Sequence, residues 1–465
     1  MNVVLGGGLA GLAAGHRLTS AGQPAMIIEK GSRVGGLART VQYGRFRFDL
    51  GGHRFLTDNE RVMDLVSGLL GDELLTVPRS SRIFMHGKFV DYPLNPVNAV
   101  FGLGVATTTA IVLDYGKEKV RQVISERPMV SLEDWVVAQF GRRMFDLYFR
   151  DYSEKVWGVD CRSISMEWVA KRIDGLSLWK AVKHALFKLS GQGCKTLTDS
   201  FVYPRLGIGQ LSDRLRDFIA VSNQVNTSTE VQQVYHTDGM ITGIELCDDQ
   251  GSSLLRGSQY FSSIPLTLLI EKMCPRPPDE VLAALSRISF RSLAVVSLML
   301  NRRKVTDLTW LYFPGKDVPF GRIHEPTNWS PEMAPAGQTH LVAEYFCDRD
   351  DGTWNSSDEQ LTTTTANHLQ RLKFLEATEV KDSCVMRIPY AYPVFNVDYR
   401  ENLQIITDWL DQFGNLQLIG RSGRYSYLNM DCAMESGIQA VEKVIERSGA
   451  DATFPEKMAA LPSRV

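Results

Sequence analysis

The chain opens with Val3-Val4-Leu5 running straight into Gly6-Gly7-Gly8-Leu9-Ala10-Gly11, and no other stretch constrains the fold as much. This is a short apolar strand, a G-x-G-x-x-G turn and the start of a helix. A second strand follows and ends at Ile27-Ile28-Glu29, so an acid stands 18 positions after Gly11. Gly6 permits the tight turn, Gly8 lets backbone approach a pyrophosphate, and Gly11 lets helix and strand pack closely. The free N–H groups of the helix N-terminus suit the pyrophosphate, and Glu29 suits the adenosine ribose hydroxyls. Glycine-rich turns of this kind also occur without a ligand. Strand context and the correctly spaced acid favour a dinucleotide site.

The next segment separates FAD from NAD. Arg33-Val34-Gly35-Gly36-Leu37 with Thr40, then Gly44, Asp49 and Gly51-Gly52-His53, resembles the second glycine signature of FAD-dependent oxidoreductases of the amine-oxidase type. Two glycines directly after the ribose-binding acid let the backbone pass beside the diphosphate and ribityl chain. The resemblance implies FAD, held by Gly6, Gly8, Gly11, Glu29, Lys30, Arg33, Gly36, Leu37, Gly51 and His53, with Val231 further along the chain.

A chain of 465 residues suggests two or three domains, and 44% hydrophobic residues supply a real core. The net charge of −2, without basic blocks, argues against nucleic acid as a general partner. An anionic ligand must then be held by a few local arginines. Cysteines 161, 194, 247, 274, 347, 384 and 432 are odd in number and never form C-x-x-C. That pattern excludes a zinc ribbon, predicts no metal site and gives no disulfide framework, so a reducing cytoplasm is expected. The apolar start has no basic n-region and reads as a strand, not a signal peptide. The longest apolar run, residues 99–113, is too short for a membrane span and predicts a loop and a buried helix. No membrane partner is expected.

Apolar spacing predicts helices over 59–70, 132–148 and 166–189, and an amphipathic helix after the Tyr203–Gln210 turn. Residues 225–246 alternate through Asp238-Gly239 and predict a hairpin. Strands are expected at 293–300, 308–313, 321–324, 341–346 and 416–421, a closing helix at 431–446, and a loose stretch over about the last fifteen residues. The fold class is α/β. A Rossmann-like FAD-binding domain is assembled from 1–95, 200–260 and 405–450. A helical insertion domain covers 96–199, and a mostly antiparallel β-sheet substrate domain covers 261–404.

Further motifs bear on the chemistry. They are Gly52-His53-Arg54-Phe55, Tyr152-Ser153-Glu154-Lys155-Val156-Trp157-Gly158, Gly321-Arg322-Ile323-His324-Glu325, Tyr392-Pro393-Val394, and Gly420-Arg421-Ser422-Gly423-Arg424-Tyr425-Ser426-Tyr427-Leu428-Asn429-Met430-Asp431. Together and in this order they resemble the UDP-galactopyranose mutase family over nearly the whole chain. The resemblance implies roles. Tyr152 and Trp157 line the nucleotide and sugar pocket, and Arg172 belongs to an arginine clamp. Arg322, Tyr392 and Tyr425 bind the substrate diphosphate. Arg421, Asn429 and Met430 hold the isoalloxazine, and His53 lies against the flavin face. His53, Arg322, Tyr392 and Tyr425 form the implied catalytic set. The residue types fit, since a guanidinium with phenols binds a diphosphate directionally and aromatic faces suit a base or sugar ring. Taken singly, Trp157 also reads as a core aromatic, Tyr392 as turn packing, Arg322 as a surface ion pair and His53 as a structural histidine.

One departure stands out. The family's R-[IL]-P-V-R pattern is here Arg172-Ile173-Asp174-Gly175-Leu176, so its second arginine is replaced by Leu176. Lys171, Arg205 and Arg424 are candidate substitutes, and the change argues against plain UDP-galactose. The resemblance implies a nucleotide-diphosphate-sugar mutase that interconverts pyranose and furanose rings on reduced FAD, with a UDP-galactose-like or GDP-linked sugar. An electron donor such as NAD(P)H is expected, and a homo-oligomer is compatible with the family's habit of assembling through its helical part. The alternative is an oxidase or dehydrogenase of the amine-oxidase or protoporphyrinogen-oxidase type, which wants a mostly apolar pocket. A flavoprotein fold without redox role is opposed by the intact glycine signatures.

Overall fold

The computed structural model describes residues 1–85, 87–91, 105–124, 128–167 and 200–447. Its first layer is a five-stranded parallel sheet in the order Leu416–Leu418, Gln259–Ser262, Asn2–Leu5, Ala25–Ile28, Gln224–Asn226. Helices Leu9–Ser20, Gly209–Ala220 and Met430–Arg447 cover it, and its central strand Asn2–Leu5 is buried along its whole length. Burial on both faces explains why that strand reads as an unbroken apolar run instead of an alternating one. Strands Glu230–Thr237 and Met240–Asp248 form the expected hairpin. Asp238 and Gly239 turn it at φ 47° and 70°, the left-handed pair that a two-residue hairpin turn requires.

The second layer is a seven-stranded sheet ordered Val380–Pro393, Phe290–Leu300, Thr339–Cys347, Arg322–His324, Trp310–Tyr312, Ser81–Met85, Lys88–Asp91. All its pairs are antiparallel except Trp310–Tyr312 with Ser81–Met85. Side chains alternate between its faces. Ala294, Val296, Leu298, Leu341, Ala343 and Ile323 pack into one core, while Leu293, Val295, Met299, Val342 and Phe346 pack into another with Phe48 and Leu50. The same alternation places Arg322, His324 and Glu344 on the second face, toward the FAD-binding layer.

The α/β class therefore holds, and several details differ from the expectations. Strands Ser81–Met85 and Lys88–Asp91 join the seven-stranded sheet, whereas the sequence places 1–95 in the FAD-binding domain. Strand Gln259–Ser262 crosses the expected 260/261 boundary and lies wholly in the parallel sheet. The helix expected over 132–148 stops at Phe140, because Gly141 takes φ 87°; a three-residue helical segment and a π-helical turn at Phe145–Phe149 lead into helix Arg150–Trp157. Helix Val105–Ile124 buries Ile111 but leaves Val112, Leu113, Val120, Val123 and Ile124 exposed, so it is not the buried helix expected there. The helix expected over 166–189 lies outside the described residues from 168 onward, as does the C-terminal stretch from 448. The long strand Val380–Pro393 carries no clear strand pattern in the sequence; as an edge strand it tolerates Pro389 and Pro393, which suppress that signal.

Candidate active site

Two glycine turns form the first half of the site. Gly8 caps helix Leu9–Ser20 with no side chain covering the first-turn N–H groups. Gly11 packs so tightly that a Cβ would lie 2.0 Å from the Gly6 carbonyl oxygen. The second turn crosses the first: the Gly35 N–H donates to the Gly7 carbonyl at 2.7 Å, and a Cβ on Gly36 would sit 3.1 Å from the Gly8 Cα. Gly36 also has φ 56°, a conformation only glycine adopts freely. Glu29 holds this crossing together by accepting from the Gly7 N–H at 2.8 Å and the Gly31 N–H at 2.7 Å. A carboxylate has lone pairs beyond those two, so it retains acceptor capacity for ribose hydroxyls.

The flanking cofactor residues separate into groups. Val231 is buried in the strand entered from Thr229, whose N–H donates to the Glu29 carbonyl, so it belongs to the same corner. Lys30 instead reaches Glu230 in an exposed ion pair at 3.0 Å, and Arg33 is exposed. Leu37 packs partly buried against Phe48, Leu50 and the seven-stranded sheet.

The other half is built on that sheet. Arg322 and Glu344 are Cα partners on adjacent strands, and the fully buried carboxylate accepts a hydrogen bond from the Arg322 Nη2. The same Nη2 donates to the Tyr392 hydroxyl at 3.1 Å. The guanidinium carbon lies 5.2 Å from the Trp310 ring centroid and 4.9 Å from that of Phe346, within cation–π range of both. Burial works against the charge, but Glu344 and the nearby phenols of Tyr392, Tyr152 and Tyr312 outweigh it and hold the Arg322 pKa well above its ordinary value. Glu344 also accepts from the Gly52 N–H at 3.2 Å, and Gly51 is close enough that a Cβ would meet its carboxylate at 3.3 Å. A Cβ on Gly52 would lie 2.2 Å from the Trp310 ring, so glycine alone allows this loop to enter.

His53 follows in that loop, its Nδ1 3.0 Å from the Gly51 carbonyl. A carbonyl only accepts, so Nδ1 carries the proton and Nε2 keeps its lone pair. Burial lowers the His53 pKa to about 4; the Gly51 carbonyl opposes this, and the charges of Arg421 and Arg322 add to it. His53 is therefore neutral at pH 7 and stands near both guanidiniums.

Arg421 sits on the short turn Gly420–Gly423 and is aimed by donation from Nε to the Leu428 carbonyl at 2.8 Å. Its guanidinium carbon is 5.5 Å from the Tyr392 ring centroid and 4.9 Å from that of Tyr427. Those two rings are nearly parallel, 6.2 Å apart at 9°. Asn429 follows Leu428, and Met430 begins the last helix. Tyr152 lines a 300 Å³ cavity with Leu147, Tyr148, Asp151 and the 313–318 loop, and its ring meets Tyr312 edge-on at 6.0 Å.

Three expected roles change or fall away. Tyr425 is 1% exposed, and its hydroxyl lies 2.7 Å from the Ser289 carbonyl and 2.6 Å from the Val394 carbonyl while accepting from the Ser289 N–H at 3.2 Å. With every hydrogen-bonding position used on backbone, Tyr425 is structural and does not reach a diphosphate. Tyr427, two residues on in the same motif, stands beside Tyr392 and Arg421 in its place. Trp157 is 3% exposed and meets Tyr392 edge-on at 6.5 Å, so its ring packs against that tyrosine in the core. Arg205 pairs with Glu332, and Arg424 lines a separate groove with Lys443 and Arg447, so neither joins Arg322. Arg172, Lys171 and Leu176 lie outside the described residues. Sequence reasoning also missed Glu344. A lone acid among nine buried residues of an apolar strand was the available signal.

The open helix N-terminus beside the Glu29 carboxylate, joined to a cleft of guanidiniums and aromatic rings, fits an FAD-dependent enzyme. The chain belongs to the flavin containing amine oxidoreductase family, which it matches over residues 9–445. FAD is its cofactor, and the crossed glycine turns fit the dinucleotide's backbone approach. The structure is similar to that of reduced UDP-galactopyranose mutase, with a TM-score of 0.83, 20% identity, and coverage of 96% of this chain and 95% of that one. It is also similar to cyclohexylamine oxidase from Brevibacterium oxydans IH-35A, with a TM-score of 0.64, 14% identity, and coverage of 97% and 99%. Protoporphyrinogen oxidase 2, chloroplastic/mitochondrial, of Arabidopsis thaliana is 27% identical over 171 residues, 35% of this chain and only 34% of that relative's length. No helix among the described residues is long and apolar enough to cross a membrane.

Proposed function

We propose that this enzyme is a nucleotide-diphosphate-sugar mutase that interconverts pyranose and furanose forms of a UDP-galactose-like or GDP-linked hexose. The observation that carries the reading is the convergence of Arg322 and Arg421 on Tyr392, one bonded to its hydroxyl and the other over its ring. When bound and reduced, the flavin supplies an electron-rich ring nitrogen as nucleophile toward the anomeric carbon. Arg322, fixed by Glu344, and Arg421, fixed by Leu428, supply positive charge where a departing diphosphate gains negative charge. Tyr392 and Tyr427 add phenolic donors and ring faces to the same region, which keeps the leaving group positioned for return. Neutral His53 adds no charge and keeps an acceptor nitrogen.

An oxidase reading draws support from the amine-oxidizing structural relatives. Two guanidiniums on one tyrosine disfavour it for amines, because a cationic substrate meets like charge in a partly buried site. The test incubates dithionite-reduced enzyme with a panel of nucleotide sugars and reads pyranose-to-furanose conversion by chromatography. Conversion of at least one sugar supports the mutase. Oxygen consumption with amines and no isomerisation supports the oxidase.

A further inference from the structure

Lys155 lies one helical turn beyond Tyr152 on the helix Arg150–Trp157. Its ammonium donates to three carbonyls of a single loop, Phe313 at 2.6 Å, Gly315 at 2.5 Å and Val318 at 2.8 Å, with the Phe320 carbonyl at 3.5 Å. An ammonium has three protons, so the loop engages all of them. The helix end is held independently. Arg291 of strand Phe290–Leu300 donates from Nε to the Val156 carbonyl at 3.0 Å and from Nη2 to the Lys155 carbonyl at 3.3 Å. The sheet thus fixes the helix, and the Lys155 side chain fixes the loop to the helix. Between loop and helix lies the 300 Å³ cavity lined by Tyr148, Asp151, Tyr152, Phe313 and Lys316. The same loop leads through Gly321 into Arg322.

We propose that Lys155 is a positioning residue for the nucleotide end of the substrate, anchoring the 313–320 loop so that the cavity beside Tyr152 is formed before ligand arrives. The proposal rests on the nucleotide-sugar reading above. A loop already ordered in the free enzyme loses less conformational freedom on binding, which appears as affinity. Replacing the ammonium with an apolar group leaves three loop carbonyls without their donor.

The anchor is also sensitive to pH. Burial lowers the Lys155 pKa to about 8, opposed by Asp317 in the loop and Asp151 on its own helix. The other charges nearby are Lys316, held by Glu154 at 3.0 Å and Asp151 at 3.6 Å, and Arg291 on the helix carbonyls. Above that pH the neutral amine keeps two donors and turns a lone pair toward a carbonyl, so the loop loosens.

The experiment titrates oxidised, FAD-loaded enzyme with UDP and GDP by calorimetry, for wild type, Lys155→Met and Lys155→Gln, with flavin content read from absorbance. Lys155→Met is expected to bind the preferred nucleotide about tenfold more weakly at unchanged flavin content, with Lys155→Gln between. Wild-type affinity is expected to fall between pH 7 and about 9.5, a fall missing from Lys155→Met. Wild-type affinity in Lys155→Met, or the same alkaline fall there, overturns the role. Should Lys155→Met fail to fold, a flat wild-type profile over that range overturns it. Wild type that binds neither nucleotide overturns the nucleotide-sugar reading itself, and this inference with it.

Discussion

Arg322 and Glu344 face each other as Cα partners across neighbouring antiparallel strands, and the carboxylate of this pair is fully buried. Glu344 also takes the Gly52 N–H, while Arg322 reaches Tyr392. One pair therefore ties the sheet to the His53 loop on one side and to the tyrosine cluster on the other.

Removing one member of a buried pair leaves the other charge without compensation. Glu344→Leu is expected to cost about 3–5 kcal/mol of stability, measured by urea denaturation of the FAD-loaded enzyme. Glu344→Gln keeps the shape and an acceptor oxygen and is expected to cost less. A loss under about 1 kcal/mol for the leucine variant contradicts the electrostatic role assigned to Glu344.

The two tyrosines of the C-terminal motif are expected to separate cleanly. Tyr425→Phe removes the donor to the Ser289 and Val394 carbonyls and is expected to lower stability by about 1–3 kcal/mol, with steady-state constants unchanged. Tyr427→Phe is expected to leave stability within about 0.5 kcal/mol and to lower kcat/KM on the nucleotide sugar. The reverse pattern contradicts the assignment.

Gly36→Val places a Cβ 3.1 Å from the Gly8 backbone at φ 56°. A β-branched residue there costs strain of about 1–3 kcal/mol and pushes the two glycine turns apart. The purified variant is expected to carry little FAD by absorbance at 450 nm and to regain little on reconstitution. Full flavin content contradicts the idea that the crossing of these turns forms the dinucleotide cradle.

Several buried histidines make stability depend on pH. Burial lowers His16, His53 and His340 to about 4, and it holds His324 well below its ordinary value. Such groups take up protons first in the unfolded state, so the stability they allow is present above about pH 6.5 and is lost as pH falls toward 4. Asp49 acts in the opposite direction, since burial raises it to about 7 and the folded state protonates first. Each of the three histidines lowered to about 4 is worth roughly 3 kcal/mol, so their sum exceeds the Asp49 contribution of roughly 4 kcal/mol, and His324 acts in the same direction. The Tm of the FAD-loaded enzyme is expected to drop between pH 7 and 4.5, with a shallower drop in His340→Asn. A rise in Tm on acidification contradicts this balance.

What the sequence disclosed follows from how local each signal is. The strand, glycine turn, helix and Glu29 lie within thirty residues, so their order alone specified the cofactor layer. The helix from Glu60 was legible for the same reason, with Asn59 at its N-cap accepting from the Val62 N–H. The arginine and tyrosine cluster was legible as motifs but not as geometry. Whether Tyr425 or Tyr427 reaches the cleft depends on a left-handed residue at Tyr425, φ 47°, which spacing does not reveal. Glu344 became visible only when pairing put it opposite Arg322. Trp157 shows the converse, since its motif pointed to a pocket and packing made it a support for Tyr392.

The central claim is that this cleft breaks and remakes the bond between sugar and diphosphate without net oxidation. Positional isotope exchange tests it most directly: a nucleotide sugar labelled with ¹⁸O in the bridging position is incubated with reduced enzyme and read by ³¹P NMR. Scrambling of the label into non-bridging positions is the expected result, with its loss in Arg322→Ala at full flavin content. A label that stays in place across the UDP- and GDP-hexose panel, while an amine or apolar substrate reduces the flavin, contradicts the account.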